Sequence, residues 1–260
     1  MKNILPTVGN KFVTFFSFMG GLVTLVSQTF YWMFIPPFKK ERIYEQCEKA
    51  GVESFPIISL VAFFIGVIMA LQTAYQMQRL GAEMYIASIV ALSMVRELGP
   101  VITALVVAGR VGASITAEIG SMQVTEQVDA LQTLATNPVK YLVVPRFLAL
   151  SIMLPILTLY SDIIGIFGGY LICINKLGVS SGMYRYVTFS SLLYKDLFTG
   201  LFKAFFFGMI IAFVSCYEGF RVEGGAEGVG KATAQAVVTM FILIIACDCF
   251  FTAVFYFIFP

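Results

Sequence analysis

The chain has 260 residues, of which 59% are hydrophobic and 12% charged, with 26 Phe and a net charge of +2. Several apolar runs exceed the roughly 18 residues that mark a membrane-spanning helix, so one or two soluble domains are excluded and an all-α integral membrane protein is indicated. There is no histidine, which removes imidazole-ligated metals, Ser–His–Asp triads and imidazole proton relays, and so small a net charge gives no basis for nucleic-acid binding.

Residues 1–54 form an N-terminal element. Its uncharged run Phe12–Ile35 is preceded by Lys2 and Lys11 and followed by Lys39, Lys40 and Arg42. A cleaved signal peptide would have a shorter apolar core and a small-residue cleavage site, whereas Pro36, Pro37 and the basic cluster follow here. Basic residues at both ends fit a helix lying in the cytoplasmic interface, with Tyr31 and Trp32 at headgroup level, better than a spanning one. Phe38–Ser54 reads as a polar cytoplasmic linker.

Residues 55–260 hold five expected spans, at 55–78, 85–109, 147–174, 197–217 and 232–259. The first is uncharged, with Gly66 and Ala70 four apart as a close-packing pair. A short turn around Arg79–Glu83 leads to the second. A polar segment from Ala117 to Pro145 precedes the third, which carries Pro155 and an intramembrane Asp162. The loop 175–196 includes a short amphipathic piece, and the loop 218–231 is rich in Gly. With a cytoplasmic N-terminus, ten Lys and Arg fall on the cytoplasmic side and four outside. That excess supports this orientation and puts the C-terminus outside. Cys47, Cys173, Cys216, Cys247 and Cys249 show no metal-ligand spacing and read as small buried apolar residues.

Arg96 and Glu97 lie about 17 Å into the second span at about 1.5 Å per residue, near the middle of the hydrocarbon. Charges there are expensive and face a protein interior or a wet cavity. Pro100 cannot donate to the carbonyl of Arg96, which loosens the helix at this depth. Two readings stand: an ion pair with another helix, through Asp162 or Lys203, or the polar lining of a cavity for an amphipathic substrate, which Gln72 could join. Ala104, Ala108, Gly112, Thr116 and Gly120 recur every four residues and let a second helix approach, more readily within the subunit than across a dimer. Gly109, Gly112 and Gly120 are the glycines expected to serve this packing.

Residues 121–136 read as a short cytoplasmic helix. Val124, Val128, Leu131 and Leu134 mark one face, with Glu126, Gln127 and Asp129 off it. Asn137–Pro138 ends the helix. Bilayer-surface helices favour Lys and Arg on their polar face, so this acidic one suits docking on a basic protein partner. The run Gly225–Ala232 nearly spells the phosphate-binding G-x-x-x-x-G-K-[ST], but Ala232 has no hydroxyl and no strand precedes it. Any ATP hydrolysis then belongs to another chain.

RELGPVITALVVAGRVGASITAEIGSM, then TEQVDAL and NPVKYLVVPRFLA, with LQTAY in the first span and KATAQAVV opening the fifth, resembles the MlaE/YrbE family of ABC-transporter permeases over about residues 55–260. That resemblance implies a homodimer in the bacterial inner membrane, each subunit with an interfacial helix and five spans and with its C-terminus in the periplasm. It also implies two cytoplasmic ATPase subunits, which bind ATP and magnesium so that this chain needs no cofactor, together with a periplasmic ring of MCE-domain proteins and in some cases a small cytoplasmic accessory subunit. The cargo would be phospholipid moved between inner and outer membranes, maintaining outer-membrane lipid asymmetry. Carried over by residue, Thr125–Leu134 would be the coupling helix, with Glu126, Gln127, Asp129 and Leu131 at the ATPase, while Gln72, Arg96, Glu97 and Lys203 would border the lipid pocket. The alternatives are an MCE-type importer of sterols or fatty acids, and an ion-coupled secondary transporter using Glu97 and Asp162. The latter is expected to show internal repeats, and none is visible.

Overall fold

The computed structural model describes residues 4–36 and 40–258. Lys2, Lys39 and Phe259, which entered the charge count and the last expected span, lie outside the described residues. Eleven α-helices follow one another without a strand among the described residues: α1 (Ile4–Met33), α2 (Lys40–Ala50), α3 (Phe55–Arg79), α4 (Ile86–Ser93), α5 (Gly99–Val107), α6 (Ala113–Val124), α7 (Gln127–Thr133), α8 (Val144–Leu177), α9 (Ser181–Ser191), α10 (Tyr194–Phe220) and α11 (Gly225–Ile258). Helices α4, α5 and α6 form one rod, joined by π-helical turns at Met94–Leu98 and Ala108–Gly112. Five stretches among the described residues are long and apolar enough to cross a membrane: Lys40–Arg79, Glu83–Val124, Val139–Leu177, Tyr194–Phe220 and Gly225–Phe257. The chain is therefore an all-α, multi-pass membrane protein.

Small residues set how closely the spans approach. Ala62, Gly66 and Ala70 of α3 are buried against α8, and a Cβ on Gly66 would stand 1.8 Å from the Gly165 carbonyl oxygen. Backbone thus meets backbone, as the Gly66/Ala70 pair leads one to expect. The stripe along the second span serves contacts inside the subunit. Ala104 and Ala108 are fully buried, Gly112 sits under Met240 and Ile211, and Gly120 sits under Val222. Gly109 stands off the stripe, exposed, with Phe241 its nearest neighbour at 3.9 Å. Thr116 Oγ1 donates to the Gly112 carbonyl at 3.0 Å and reaches the Ser215 carbonyl of α10 at 3.2 Å. Thr116→Val keeps the shape and removes that bridge. It should lower stability by about 1 kcal/mol, read as a lower unfolding midpoint in detergent; an unchanged midpoint would show that the bridge contributes nothing.

The loosening expected at Pro100 takes a definite form. The Gly99 N–H reaches back five residues to the Met94 carbonyl, so the helix widens by one residue just before the proline. A third π turn, Val139–Val143, precedes Pro145 at the start of α8 in the same register. Both widened turns are closed by the N–H of the residue before a proline, and the Arg96 carbonyl that Pro100 cannot meet accepts instead from Lys203 Nζ at 3.3 Å.

Two expected loops are shorter than the composition suggests. The second span does not end near Gly109 but continues as α6 to Val124. The Gly-rich loop shrinks to the few residues between α10 and α11, because Gly225–Ala232 forms the first turns of α11. Within those turns Lys231 pairs with Glu227 at 2.7 Å.

Helix α1 crosses the bundle steeply. Phe18 meets the Tyr217 ring edge-on at 5.2 Å, and Phe30 lies 6.5 Å from Phe213. About 18 Å of α1 therefore matches about 6 Å of α10, where parallel helices would match length for length. Leu25 and Thr29 anchor it, while Val13, Phe16 and Val23 are exposed. Helix α1 thus lies across the end of the bundle formed by the last turns of α10 and the start of α8.

Candidate functional site

The charged pair of the second span falls in the first π turn, on the side of the rod away from α3. Ile86, Val90 and Met94 are buried in the apolar cluster that α3, α8 and α9 share, and Leu92 and Arg96 lie on the opposite face. There the two charges meet α10. Asp196 and Lys203 are two turns apart on α10, hence on one face of it. Arg96 Nε lies 3.4 Å from Asp196 Oδ1, and Glu97 Oε2 lies 2.6 Å from Lys203 Nζ. Two adjacent residues are satisfied by two positions about 10 Å apart.

Lys203 is the centre of the cluster. It is 1% exposed, yet its ammonium meets Glu97, Asp248 Oδ1 at 2.9 Å, Thr252 Oγ1 at 2.7 Å and the Arg96 carbonyl at 3.3 Å. One cation thus ties the π turn, α10 and α11 together. Thr252 also sits 3.2 Å from both oxygens of Glu97. These residues form the floor of a cleft of about 340 Å³ whose walls include Thr199, Phe255 and Tyr256. Arg96 keeps 48% of its side chain exposed at the edge. The cleft therefore offers a half-exposed guanidinium, an ion-pair floor and aromatic walls. A ligand with a charged head and an apolar body fits that distribution.

Of the residues expected here, Arg96, Glu97 and Lys203 come together. Gln72 does not: it is exposed on α3, and the α4 rod separates it from this cleft. Nor is Asp162 the partner of Arg96. It lies on α8 against Gly99, on the other side of the π turn, and Asp196 takes that role. Asp196, Asp248 and Thr252 escaped the sequence reading. Asp248 carried a signal, since it is the only charged residue between Lys231 and Pro260, and a lone carboxylate in an apolar run needs a partner. Asp196 sat in an expected loop, yet its carboxylate also accepts the Leu193 N–H at the start of α10, at 3.0 Å. A second buried pair was missed as well: Arg146, 4% exposed, meets Glu118 at 2.8 Å and joins the start of α8 to α6.

The second expected element, the docking helix, is built differently from one helix over 121–136. The chain breaks at Glu126, whose φ of 58° is left-handed, and α7 starts anew; Ala135, at φ 54°, closes it. Non-glycine residues rarely adopt this conformation, so α7 is set off between two strained joints. The break splits the expected apolar face. Val128 is buried and Leu131 half-buried, while Leu134 is 74% exposed. Glu126, Gln127 and Asp129 are all exposed. Asn137 then accepts the N–H groups of Val139 and Lys140, at 2.9 and 3.2 Å, and caps the turn leading into α8. Behind α7, a cleft of about 950 Å³ opens between it, α1 and the end of α10, with Gln28, Trp32, Val128 and Tyr217 on its walls. At this end Arg110 also pairs with Glu53 at 2.6 Å. The Lys203 cluster and the α7 end are thus connected by one continuous rod, α4 to α6.

The Permease MlaE family matches residues 43–254. The chain is 44% identical to a probable ABC transporter permease protein of Rickettsia felis, over 98% of this chain and 99% of that one. It is 40% identical to another from a Synechocystis species, over 87% and 86% of the two chains. It is 37% identical to the intermembrane phospholipid transport system permease protein MlaE of Haemophilus influenzae, over 82% of each. With a match that spans both the charged cleft and the α7 end, and relatives aligned along nearly their whole length, the chain belongs to the MlaE family of ABC-transporter permeases.

Proposed function

We propose that this subunit carries phospholipid between the inner and outer membranes of a bacterial envelope, driven by ATP hydrolysed on a separate cytoplasmic subunit, and so helps maintain outer-membrane lipid asymmetry. The observation that carries the reading is the Lys203 cluster. Buried charges at this depth, joined to an aromatic-walled cleft, suit a molecule with a charged head and apolar chains, and a purely structural span needs none of them. In this reading two copies of the chain face each other in the inner membrane with their N-termini in the cytoplasm and C-termini in the periplasm. The α7 end seats on the ATPase, and a periplasmic MCE-domain protein receives the lipid. ATP-driven closure of the ATPase pushes on α7, and the α4–α6 rod carries that push to the cleft. The two conformations differ in how well they hold lipid, which is what such a cycle requires.

The test begins with the tagged chain purified from its host in mild detergent. An ATPase subunit, an MCE-domain protein and bound phospholipid are expected by mass spectrometry. Recovery of the chain alone even after crosslinking would overturn the reading, and recovery of sterol or fatty acid instead of phospholipid would overturn the cargo. Glu97→Leu should then lower lipid transfer while the complex still assembles, because Lys203 keeps Asp248 as its counter-charge. Undiminished transfer would remove Glu97 from the lipid path.

A further inference from the structure

At the end of the bundle that α1 crosses lies a further cavity, of about 390 Å³, where three separate elements meet. Trp32 comes from the end of α1, Arg42 and Ile43 from the start of α2, and Lys140 and Tyr141 from the π turn that leads into α8. Arg42 and Lys140 are both half-buried. The Arg42 guanidinium lies over the Tyr141 ring, 3.5 Å from its centroid, and donates to the Tyr141 hydroxyl. Lys140 Nζ lies 5.5 Å from the centre of the Trp32 ring and donates to the Pro36 carbonyl at 3.2 Å. Neither cation enters an ion pair among the described residues. Glu45, on the same helix as Arg42, pairs with Lys49 at 2.8 Å instead, and no carboxylate lines the cavity.

Aromatic faces and a carbonyl hold a cation in place without cancelling its charge. Two half-buried cations on one cavity repel each other, and an anion between them offsets that cost. The position of the cavity says which anion. The stretch Lys40–Arg79 has 40 residues, about twice what crosses the hydrocarbon, so α2, its charged first part, falls at headgroup level. Tryptophan favours the same level, and Tyr31 and Phe34, on either side of Trp32, are exposed to the surroundings of α1. We propose that this cavity binds the headgroup phosphate of an anionic phospholipid, with Arg42 and Lys140 donating to its oxygens and the tails leaving past Phe34. A zwitterionic lipid brings an ammonium for which the wall has no carboxylate. The cavity wall also includes Ala135, which closes α7, so an occupant ties α1 and α2 to that joint. The site is distinct from the proposed transport cleft and stands or falls apart from it.

The full chain is purified into nanodiscs of equal phosphatidylglycerol and phosphatidylcholine, and retained lipid is identified by native mass spectrometry. Phosphatidylglycerol should be retained over phosphatidylcholine by at least about tenfold, since one cation near a lipid surface is worth roughly fivefold and two act here. Arg42→Gln combined with Lys140→Gln should abolish that preference. Each substitution alone should weaken it a few-fold, and the single variants serve if the pair does not fold. Lys176→Gln removes an exposed charge at the other end of α8 and should leave the preference intact, as should Glu97→Leu. Equal retention of the two lipids by the unmutated protein would overturn the proposal, as would a preference that survives in the folded double variant or is untouched by both single ones. Equal loss in Lys176→Gln would reduce the effect to net charge, and loss in Glu97→Leu would place the lipid in the charged cleft; either overturns it. Excess inorganic phosphate should not displace the lipid, and displacement would assign the cations to a soluble anion instead. A double variant that keeps the lipid preference but no longer recovers the ATPase would assign them to that subunit, and would overturn the proposal too.

Discussion

Lys203→Met is expected to destabilise the protein by about 3 kcal/mol, read as a lower unfolding midpoint in detergent, and to reduce lipid transfer with it. Methionine fills much the same space, so the loss is not one of packing. What disappears is the cation between Glu97 and Asp248, whose side chains are only 41% and 21% exposed. Both carboxylates then face each other and Thr252 with no counter-charge. The solvent that reaches Glu97 screens part of this, which keeps the figure near the lower end for broken buried pairs. The same logic fixes a rescue: adding Glu97→Gln and Asp248→Asn to Lys203→Met should restore most of the lost stability, because a neutral cluster has no uncompensated charge to bury. If the cleft's charges recognise a headgroup, as proposed, lipid transfer should not return. A Lys203→Met protein as stable as the parent would mean that the three helices are held by packing alone. Recovery of transfer in the triple variant would mean that the charges serve only the fold.

How much of this was legible in the sequence depended on whether a signal was local. Five apolar runs, the Gly66/Ala70 approach, the small-residue stripe and the interruption at Pro100 all announce themselves within a few residues, and each has its place in the structure. Of the charged partners, Lys203 was already a candidate as a charge within a span, but Asp196 and Asp248 were not, because they lie a hundred residues or more away and only helix packing brings them to the cluster. Asp162 illustrates the limit. As an isolated charge in a span it was a fair candidate for Arg96, yet the widened turn aims Arg96 at α10 and leaves Asp162 behind Gly99. The docking segment failed for another reason. Its apolar spacing is that of one helix, but the left-handed backbone at Glu126 is a choice that a non-glycine residue rarely makes, and no spacing rule reveals it.

That strained joint gives the second prediction. If the α7 end seats on a basic surface of the ATPase, Glu126→Arg should cut recovery of the ATPase with the permease, and lipid transfer, by at least about tenfold, because a like-charge contact replaces an opposite one. The substitution should leave the fold alone: Glu126 is exposed, and arginine bears the same cost at φ 58° as glutamate does. Glu126→Gln removes the attraction without adding repulsion and should fall between the two. Glu126→Gly separates charge from shape. Glycine adopts this backbone without strain, so the folded protein should gain up to about 1 kcal/mol at this position. Coupling should nevertheless weaken further than in Glu126→Gln, because the same glycine lets α7 swing on a loose joint and a push from below is absorbed before it reaches α6. In this account the left-handed Glu126 supplies stiffness as well as charge. Ordinary ATPase recovery and transfer in Glu126→Arg would sink the electrostatic half of this account. Coupling in Glu126→Gly equal to that in Glu126→Gln would sink the mechanical half.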